Sequence, residues 1–499
     1  MPFIPFRRIA IWLVVAFLCS ITNPAAAQGN TYYVAPSGSD APANGRAAAP
    51  WATIAYAITR VPDGATILVA PGTYTGQVRL DASFAQGVTV RAEPPYQARL
   101  RHNATVVIVY NGQGITLDGF DIAHSGPGAG ALLMQVQNLR SQGVTSRITI
   151  RNNLFHDSYN NDLLKINNGA TDILVAGNMF YNQTGSDEHI DVNSVTNVVL
   201  QDNIFLNDFA GSGRTNSEDT SAFVVVKDSN GNDDGLLGSR DILLRRNVFL
   251  NWQGGTGHGF IQIGEDATAN FEAERVMIEN NLLLGNSSDP MRAPFALMGV
   301  RDVTIRHNTV VGDLPVTTGF AMRLYRVGAN QPNANIRFAN NIFSDPTGTM
   351  GFFAGAPIGQ TASFALERNL AWNNGQPIPS STNSMVNLAD DSNRIIGDPQ
   401  LGTQADLIVP RWNPSTNQFA DGSATIRAAF ENLVARYGTP GETSAALESA
   451  TPTDAPADDI LGNPRPRGTG HDIGAVELQR GTAPPPRSPR QFLPVLRKR

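Results

Sequence analysis

The sequence predicts a parallel β-helix, a single-stranded solenoid, from a short repeated phrase and the spacing of its copies. The phrase is a few alternating apolar residues, then Asn, then usually an aromatic or aliphatic residue, and it occurs eight times. Alternation with period two indicates a strand with one face turned to a common core. Copies that recur every 25 to 44 residues indicate one unit stacked on its neighbours. The repeated Asn residues are Asn153, Asn178, Asn203, Asn247, Asn281, Asn308, Asn341 and Asn369.

The repeated Asn suits a turn at the end of each strand, because Asn tolerates the left-handed conformation and bonds to nearby backbone. Stacked copies can also form an Asn ladder along the solenoid. The leucine-rich repeat has a similar rhythm, but its period is tighter and a helix or 3₁₀ segment follows each strand. Here the intervening segments are ragged and rich in Gly, Asn, Asp, Ser and Thr, and most contain a second short apolar run. This pattern favours the β-helix.

The N-terminal segment has the features of a secretory signal, with Arg7-Arg8, an apolar run, and Ala25-Ala26-Ala27 before Gln28. We therefore expect a secreted, extracellular protein, with cell-surface association as a variant, and no membrane span. Cys19 lies inside the signal, so we expect no disulfide in the mature chain. A net charge of −6 without a dominant basic stripe disfavours nucleic acid, whereas local cations still permit an acidic polysaccharide as partner. We expect a monomer.

The phrase ends near residue 375, and the composition changes after it. Residues 52–61 fit a short helix that covers the first coil, and residues 423–437 have helical spacing and fit a cap on the C-terminal edge. We therefore divide the chain into a signal (1–27), the β-helix (28–375), an irregular wrap with a capping helix (376–439), a linker (440–459), a C-terminal strand motif (460–479) and a Pro/Arg-rich tail (480–499).

Aligning the second strand of each coil predicts one outward-facing surface. The core positions would be Leu164 and Ile166 and their equivalents, and Lys165 would stand beside Asp191, one strand spacing of about 4.8 Å away. The other outward positions of this predicted surface are Leu163, Asn167, His189, Asn193, Phe223, Val225, Lys227, Phe260 and Gln262.

Two lysines, a histidine and a carboxylate on neighbouring coils suit the chemistry of uronic acids. A lyase needs a cation that neutralises the substrate carboxylate, a base, and an acid for the leaving oxygen. We therefore predict Lys165, His189 and Asp191 as catalytic residues. The alternative is a plain cross-strand ion pair on a solvated face. The predicted substrate-binding residues are Asn167, Asn193, Phe223, Lys227, Phe260, Gln262 and Arg323, with the two Phe rings placed either on sugar rings or on each other.

A loop rich in Asp and Asn follows Lys227 and is a candidate calcium site, because calcium takes six to eight oxygen ligands. The loop is not an EF-hand, since its sixth position is Asp233 and its twelfth is Ser239. Turns of this composition are also common without a metal. The candidate ligands are Asp228, Asn230, Asn232, Asp233 and Asp234.

Several segments resemble secreted proteins of the pectate-lyase-like superfamily, over roughly residues 30–375. They are YYVAPSGSD (32–40), the run from Pro50 to Tyr74, and ITLDGFDI (115–122). The resemblance implies a right-handed β-helix with catalytic residues on an exposed sheet. NDLLKINN (161–168) resembles the strand that carries the base lysine in alginate and chondroitin lyases, which implies that role for Lys165.

The next coil departs from that pattern, because the family usually offers a basic partner there and this chain has His189 and Asp191. The same coil resembles the calcium-binding acidic strands of pectate lyases through Asp187, Glu188 and Asp191. We therefore favour a polysaccharide lyase that cleaves uronic-acid glycans by β-elimination. The alternatives are a non-catalytic carbohydrate-binding or adhesin-type surface protein and, second, a glycoside hydrolase that uses two carboxylates from Glu188, Asp191 and Asp219.

Overall fold

The computed structural model describes residues 30–139, 143–228 and 235–479. The predicted signal and the Pro/Arg-rich tail lie outside these residues. The described chain winds through three long sheets whose strands are all parallel. The first sheet contains Thr31–Val34, Thr66–Val69, Ser83–Ala92, Gln113–Asp118, Ser146–Arg151, Thr171–Ala176, Thr196–Gln201, Ser239–Arg245, Ala273–Glu279, Arg301–Arg306, Ala334–Ala339 and Phe364–Glu367.

Each coil passes from the first sheet through the Asn turn into the third sheet, then through a loop into the second sheet. The second sheet contains Val78–Arg79, Val107–Tyr110, Met134–Gln137, Leu164–Asn167, Glu188–Asn193, Ala222–Lys227, Ile261–Ile263, Phe295–Met298, Met322–Tyr325 and Ala354–Gly355. The third sheet contains Gly72–Thr75, Ala98–His102, Asp121–His124, Leu154–His156, Met179–Tyr181, Ile204–Leu206, Val248–Phe249, Leu282–Gly285, Thr309–Gly312, Ile342–Ser344, Leu370–Trp372 and Ile395–Ile396. The predicted parallel β-helix is confirmed, and the leucine-rich alternative is excluded.

The repeated Asn side chains form the expected ladder inside the wall of the solenoid. All eight are fully buried, and each Nδ2 donates to Oδ1 of the next Asn, as Asn153 does to Asn178 at 3.1 Å. The ladder ends where Asn369 Nδ2 donates to Asp391 Oδ2 at 2.9 Å. The left-handed conformation belongs to the preceding residue, for example Asn152 with φ 55°. A turn does end each strand, as expected, but its left-handed residue is the one before the repeated Asn.

The interior is filled by aliphatic side chains and a stack of rings. The rings of Phe155, Phe180, Phe205 and Phe249 lie parallel at centroid separations of 4.9, 5.1 and 4.8 Å. Offset stacking at this spacing is favourable beyond the area that it buries. Each coil thus contacts its neighbours through backbone bonds, the Asn ladder and the ring stack, which fixes the register of the outward-facing side chains.

A short helix at Ile54–Ala57 covers the N-terminal end of the solenoid. Thr53 caps it, because its side chain accepts a hydrogen bond from the Tyr56 backbone N–H at 3.1 Å. Ile54 and Ala57 are buried in the main core. The expected capping helix is present and is shorter than residues 52–61.

The C-terminal segment packs along the side of the solenoid. The helix Ile426–Leu433 continues as a π-helical turn, Val434–Gly438, and its apolar face contacts outward-facing residues of the third sheet such as Leu206 and Leu284. It therefore covers a flank rather than the C-terminal edge that the sequence predicts. The remaining short elements are the 3₁₀ turns Ala210–Ser212 and Leu388–Asp390 and the antiparallel strands Trp412–Asn413 and Gln418–Phe419.

The predicted linker and final strand also differ from the structure. Ala446, within residues 440–459, is buried against Ile342 and Leu370, so this segment is packed. Residues 473–478 form no strand, although Ile473 and Ala475 are buried. No helix among the described residues is long and apolar enough to cross a membrane.

Candidate active site on the second sheet

The outward face of the second sheet brings together the residues that the alignment of strands predicts. Lys165 is paired with Asp191, and Asn167, Asn193 and Lys227 follow one another on three adjacent strands. Leu164, Ile166 and their equivalents point into the core, as expected. The predicted register is therefore confirmed at the centre of the sheet.

Three buried carboxyl groups meet beside Lys165, and we call Asp162, Glu188 and Asp191 the acid cluster. One oxygen atom from each lies within 4.8 Å of the others. Asp191 faces outward from its strand, whereas Asp162 and Glu188 stand where the chain enters two adjacent strands. All three are at most 2% exposed. Carboxylates are rarely buried without partners, so the cluster indicates more than surface charge.

Each residue of the acid cluster has one oxygen in a hydrogen bond and one that makes no hydrogen bond. Asp162 Oδ1 accepts from the Glu188 backbone N–H at 3.2 Å, Glu188 Oε1 accepts from Ser221 Oγ at 2.8 Å, and Asp191 Oδ2 accepts from Asn193 Nδ2 at 3.0 Å. Asp162 Oδ2, Glu188 Oε2 and Asp191 Oδ1 are buried without a hydrogen-bond partner. Three unsatisfied acceptors at one place are unfavourable unless a cation or protons satisfy them.

The pKa values of the acid cluster also indicate that protons or a cation satisfy these oxygens. Burial, together with the charge of Asp191, raises the pKa of Asp162 to about 8. Burial and the neighbouring Asp162 raise the pKa of Glu188 well above its ordinary value, and burial raises that of Asp187 as well. The free protein therefore retains protons in this cluster at neutral pH, and a divalent cation could take their place.

Lys165 and Lys227 flank the acid cluster on its two sides. Lys165 Nζ is ion-paired with Asp191 and lies 3.6 Å from Asp162 Oδ2. Lys227 Nζ lies 2.5 Å from Glu265 Oε2 and 3.6 Å from Asp266 Oδ1. Burial opposes the charge on both lysines, but the carboxylates outweigh it and raise both lysine pKa values above the ordinary range. Both lysines are thus protonated when the acid cluster holds no cation.

The acid cluster has the chemistry of a site for a hard divalent cation. Such ions take carboxylate and carbonyl oxygens, and calcium accepts irregular sets of them. Besides the three carboxylate oxygens without hydrogen bonds, Asn193, whose Nδ2 donates to Asp191, has a buried Oδ1 that makes no hydrogen bond. The residues therefore fit a calcium-type ion at the acid cluster.

His189 is not on the outward face, and its predicted catalytic placement is wrong. Its ring is fully buried between Phe205 and Phe223, and Nε2 lies 3.1 Å from Asn207 Oδ1. Burial lowers the pKa of His189 to about 3, so the ring is neutral at physiological pH. Strict alternation fails at the start of this strand, where His189 and the next residue, Ile190, both lie in the core.

The same failure of alternation affects the two Phe residues for which stacking on sugar rings was one of the predicted roles. Phe223 and Phe260 are fully buried and stack on each other with centroids 5.6 Å apart, so they cannot contact a glycan. Leu163 is buried at the equivalent position. Of the two outcomes that the sequence leaves open for the Phe pair, stacking on each other is the one observed.

The remaining predicted binding residues differ in their accessibility. Asn167 and Asn193 face outward but are largely covered, at 7% and 3% exposed. Gln262 is fully buried, and its Oε1 lies 2.5 Å from His258 Nδ1. Arg323 is in the same outward column as Asp191, several coils further along, and its guanidinium lies 3.4 Å from the centre of the Tyr325 ring.

The predicted calcium loop is described only in part. Asp228 is buried, and its oxygens accept hydrogen bonds from Ser194 Oγ, the Gly238 backbone N–H and Asn270 Nδ2 at 2.8, 3.1 and 2.8 Å. It therefore fixes the base of the loop. Asn230, Asn232, Asp233 and Asp234 lie outside the described residues, so a calcium ion there stays a prediction.

Asp162 is the functional residue that the sequence reasoning missed. It precedes its strand and is not part of the alternation, so the alignment of outward positions does not reach it. The signal was available: Leu164 pairs with Ile190, and the residues two positions earlier on each coil are Asp162 and Glu188. Acidic residues at equivalent positions on adjacent coils indicate a shared site.

Comparison with solved structures finds other proteins with the same fold. The chain is similar to pectate lyase Pel9A, with a TM-score of 0.52 and 15% identity over 90% of this chain and 96% of that one. It is also similar to XylC in complex with xylose (TM-score 0.48, 11% identity, 90% and 98% covered) and to a rhamnogalacturonan lyase (TM-score 0.44, 13% identity, 83% and 99% covered). No protein-family model matches the chain, and no curated protein sequence matches it significantly. The chain thus shares the parallel β-helix fold of pectate lyase Pel9A, which is the fold that the sequence resemblance implied.

Proposed function

We propose that the protein is a polysaccharide lyase that cleaves uronic-acid glycans at the acid cluster with the help of calcium. The observation that carries the proposal is the acid cluster itself, three buried carboxyl groups that meet beside Lys165 and that each have one oxygen without a hydrogen bond. The similarity to a pectate lyase supports the fold on which such a site is built. Fold alone gives no activity, so the site carries the argument.

β-Elimination sets the requirements for the residues. A base removes the proton from the carbon next to the uronate carboxylate, the electron pair forms a carbon–carbon double bond, and the bond to the leaving glycosidic oxygen breaks while that oxygen gains a proton. Negative charge develops on the carboxylate during the first step, so a fixed cation beside it lowers the barrier. A calcium ion held by the acid cluster would neutralise that carboxylate and reduce the negative field that keeps the lysines protonated.

The two lysines have different relations to the acid cluster, which suggests different roles. Lys165 Nζ is ion-paired with Asp191 Oδ2 and lies 3.6 Å from Asp162 Oδ2, which is a proposed metal ligand, so Lys165 competes with the ion and acts as a charge neutraliser. Lys227 Nζ contacts Glu265 and Asp266 instead. Asp191 is the carboxylate that raises the pKa of Lys227 most, so a cation held by Asp191 would lower that pKa and favour the free amine that a base requires. We therefore assign the base to Lys227.

The proposed partner and location follow from the same chemistry. An acidic polysaccharide supplies both the carboxylate for calcium and the acidic proton for Lys227. Such polymers are extracellular, in agreement with the signal that the N-terminal segment predicts. Sequencing the N-terminus of exported protein tests the location, and a mature chain that begins at Gln28 is expected.

Charge-preserving and charge-removing variants separate the roles. The assay follows the ultraviolet absorbance of unsaturated uronide product on pectate, alginate, chondroitin, hyaluronan and heparin-type glycans. Lys227→Arg retains the positive charge but cannot act as a base, since Arg stays protonated. It is expected to lose turnover by about 100-fold or more, as Lys227→Ala does. The matched variant Lys165→Arg is expected to retain activity within about tenfold.

Other outcomes point to the alternatives. New reducing ends without ultraviolet absorbance would indicate a hydrolase that uses carboxylates of the acid cluster. Glycan binding without any product, in folded protein with calcium present, would indicate the carbohydrate-binding or adhesin-type protein. An active Lys227→Arg variant would reject Lys227 as the base.

A further inference from the structure

A second site with the opposite charge lies further along the second sheet. Arg292, Arg323 and Arg326 line a cleft of about 420 Å³, which we call the arginine cleft. Its other walls include hydroxyl and amide side chains, and no acidic side chain lines it among the residues that the structure describes. The cleft is not part of the acid cluster and has no part in the proposed elimination.

Carboxylates in the described parts of the chain leave the three guanidinium groups of the arginine cleft without ion pairs. No Asp or Glu in the described ranges forms an ion pair with them, whereas other arginines of the solenoid do, such as Arg306 with Glu279 at 2.6 Å. Arg323 is partly buried, which lowers its pKa, and the nearby charge of Arg292 adds to this effect. Uncompensated like charges in a cleft attract an anion, and planar guanidinium groups bind carboxylates through paired hydrogen bonds.

The position of the arginine cleft relates it to the acid cluster. Register partners run from Asp191 through Val225, Gln262 and Ala296 to Arg323, so both sites lie on one outward column. Four strand spacings of about 4.8 Å place Arg323 roughly 19 Å from Asp191 along the axis. A polymer that runs along the solenoid can therefore contact both sites, whereas a very short fragment cannot.

The rim of the arginine cleft suits a sugar chain rather than a small inorganic anion. Phe352 lines the cleft with 53% of its surface exposed, and Val327 beside it is 50% exposed. Exposed rings at a polar cleft offer a flat apolar face to a sugar ring. Gln360, Asn383 and Ser384 also line the cleft and can bond to sugar hydroxyls.

We propose that the arginine cleft is a distal subsite that binds carboxylates of the same glycan whose cleavage is proposed at the acid cluster. The protein then selects long polyanionic chains over short ones, because one chain occupies both sites and the second contact is intramolecular. The identity of the ligand as a uronate glycan rests on the proposed function. Binding at the arginine cleft does not require turnover.

The test measures how affinity grows with chain length. Calorimetry compares fragments of two or three uronate units with fragments of ten or more, prepared from polygalacturonate and from alginate, with methyl-esterified pectin as a neutral probe. The wild-type protein is expected to bind the long fragments at least about tenfold more tightly than the short ones. Arg323→Gln combined with Arg326→Gln is expected to remove most of that gain and leave binding of short fragments within about twofold. Arg60→Gln, an exposed arginine stacked on Tyr56 near the other end, is the matched control and should leave the gain unchanged.

The outcomes separate this inference from the proposed function. Equal affinity of the double variant and the wild type for long fragments would overturn the arginine cleft as a subsite, whatever the turnover. Equal binding of methyl-esterified pectin would also overturn it, because the proposal requires carboxylates. Arginine-dependent binding without turnover on any glycan would retain the distal subsite and reject the lyase.

Discussion

The Asn ladder makes a prediction about stability that can be worked from single bonds. Asn247 lies near the middle of the ladder and is fully buried. Its Nδ2 donates to Leu200 O and Asn281 Oδ1, both at 3.0 Å. Its Oδ1 accepts from Asn203 N at 3.1 Å and from Asn203 Nδ2 at 3.0 Å. Asn247→Ala therefore breaks four buried hydrogen bonds at once.

A typical buried hydrogen bond contributes about 1 kcal/mol net, and an acceptor or donor left unsatisfied costs about 1–3 kcal/mol. Four broken bonds predict a loss of about 4 kcal/mol in the free energy of unfolding. That is a large part of the stability of an ordinary domain. The loss is expected to spread to neighbouring coils, because each Asn also positions the next.

Chemical denaturation followed by circular dichroism measures this loss. Gln331→Ala is the control, since Gln331 is exposed and makes one hydrogen bond, to Ala269 O at 3.0 Å; its expected change is within about 0.5 kcal/mol. If Asn247→Ala destabilises the protein no more than Gln331→Ala does, the ladder is not the stabilising element that its geometry implies.

Three further predictions concern the second sheet. In chelator, the free energy of unfolding should fall as pH rises from about 4 to about 8, because the folded state raises the pKa of Asp162 to about 8 and so binds a proton that the unfolded chain releases. Asp162→Asn should flatten this pH dependence, which urea titrations at pH 5 and pH 8.5 measure. An unchanged pH dependence in Asp162→Asn would reject Asp162 as its source. Lys165→Met should tighten calcium binding several-fold in calorimetry, because it removes the competing ammonium, and weaker binding would contradict that role. His189→Phe should leave turnover within about twofold, because His189 is packed against Phe205 and Phe223; a loss of 100-fold with intact folding would restore a catalytic role for His189.

Much of the fold follows from the sequence because its determinants are local and repeated. Alternation fixes which side chains face the core, and the repeated Asn marks the same turn on every coil. The pairing of Lys165 with Asp191 then follows from strand geometry alone. The alternation of side chains and the pairing of neighbouring strands are properties of regular strands, so a period of two residues in the sequence predicts them well.

The errors occur at the beginnings of strands and in the loops before them. His189 and Phe223 are the second residues of their strands and Phe260 directly precedes its strand, and at these positions the alternation of inward and outward side chains fails. Asp162 lies in the loop before its strand, so its approach to Asp191 depends on the path of that loop. Such positions are set by tertiary contacts between coils, which a period in the sequence does not encode.

The segment after residue 375 shows the same limit. Its helical spacing predicted a helix over residues 423–437, within which Ile426–Leu433 is observed, but the surface that this helix covers depends on the apolar residues that the third sheet presents outward. Those residues, such as Leu206 and Leu284, lie far away in sequence. The docking site was therefore visible only once the three sheets were assembled.

Turnover and calcium binding, measured together in one purified protein, test directly whether the acid cluster is a calcium-dependent catalytic site. Unsaturated uronide absorbance is recorded on the glycan panel while calcium is added to chelated enzyme, and calorimetry gives the calcium affinity under the same conditions. A calcium-dependent lyase is expected to turn over at least one uronic-acid glycan and to be inactive in chelator. The midpoint of the rise in activity should coincide with calcium binding at the acid cluster and move to higher calcium in Asp162→Asn. Full activity in chelator, or a calcium response unchanged by Asp162→Asn, would contradict this expectation.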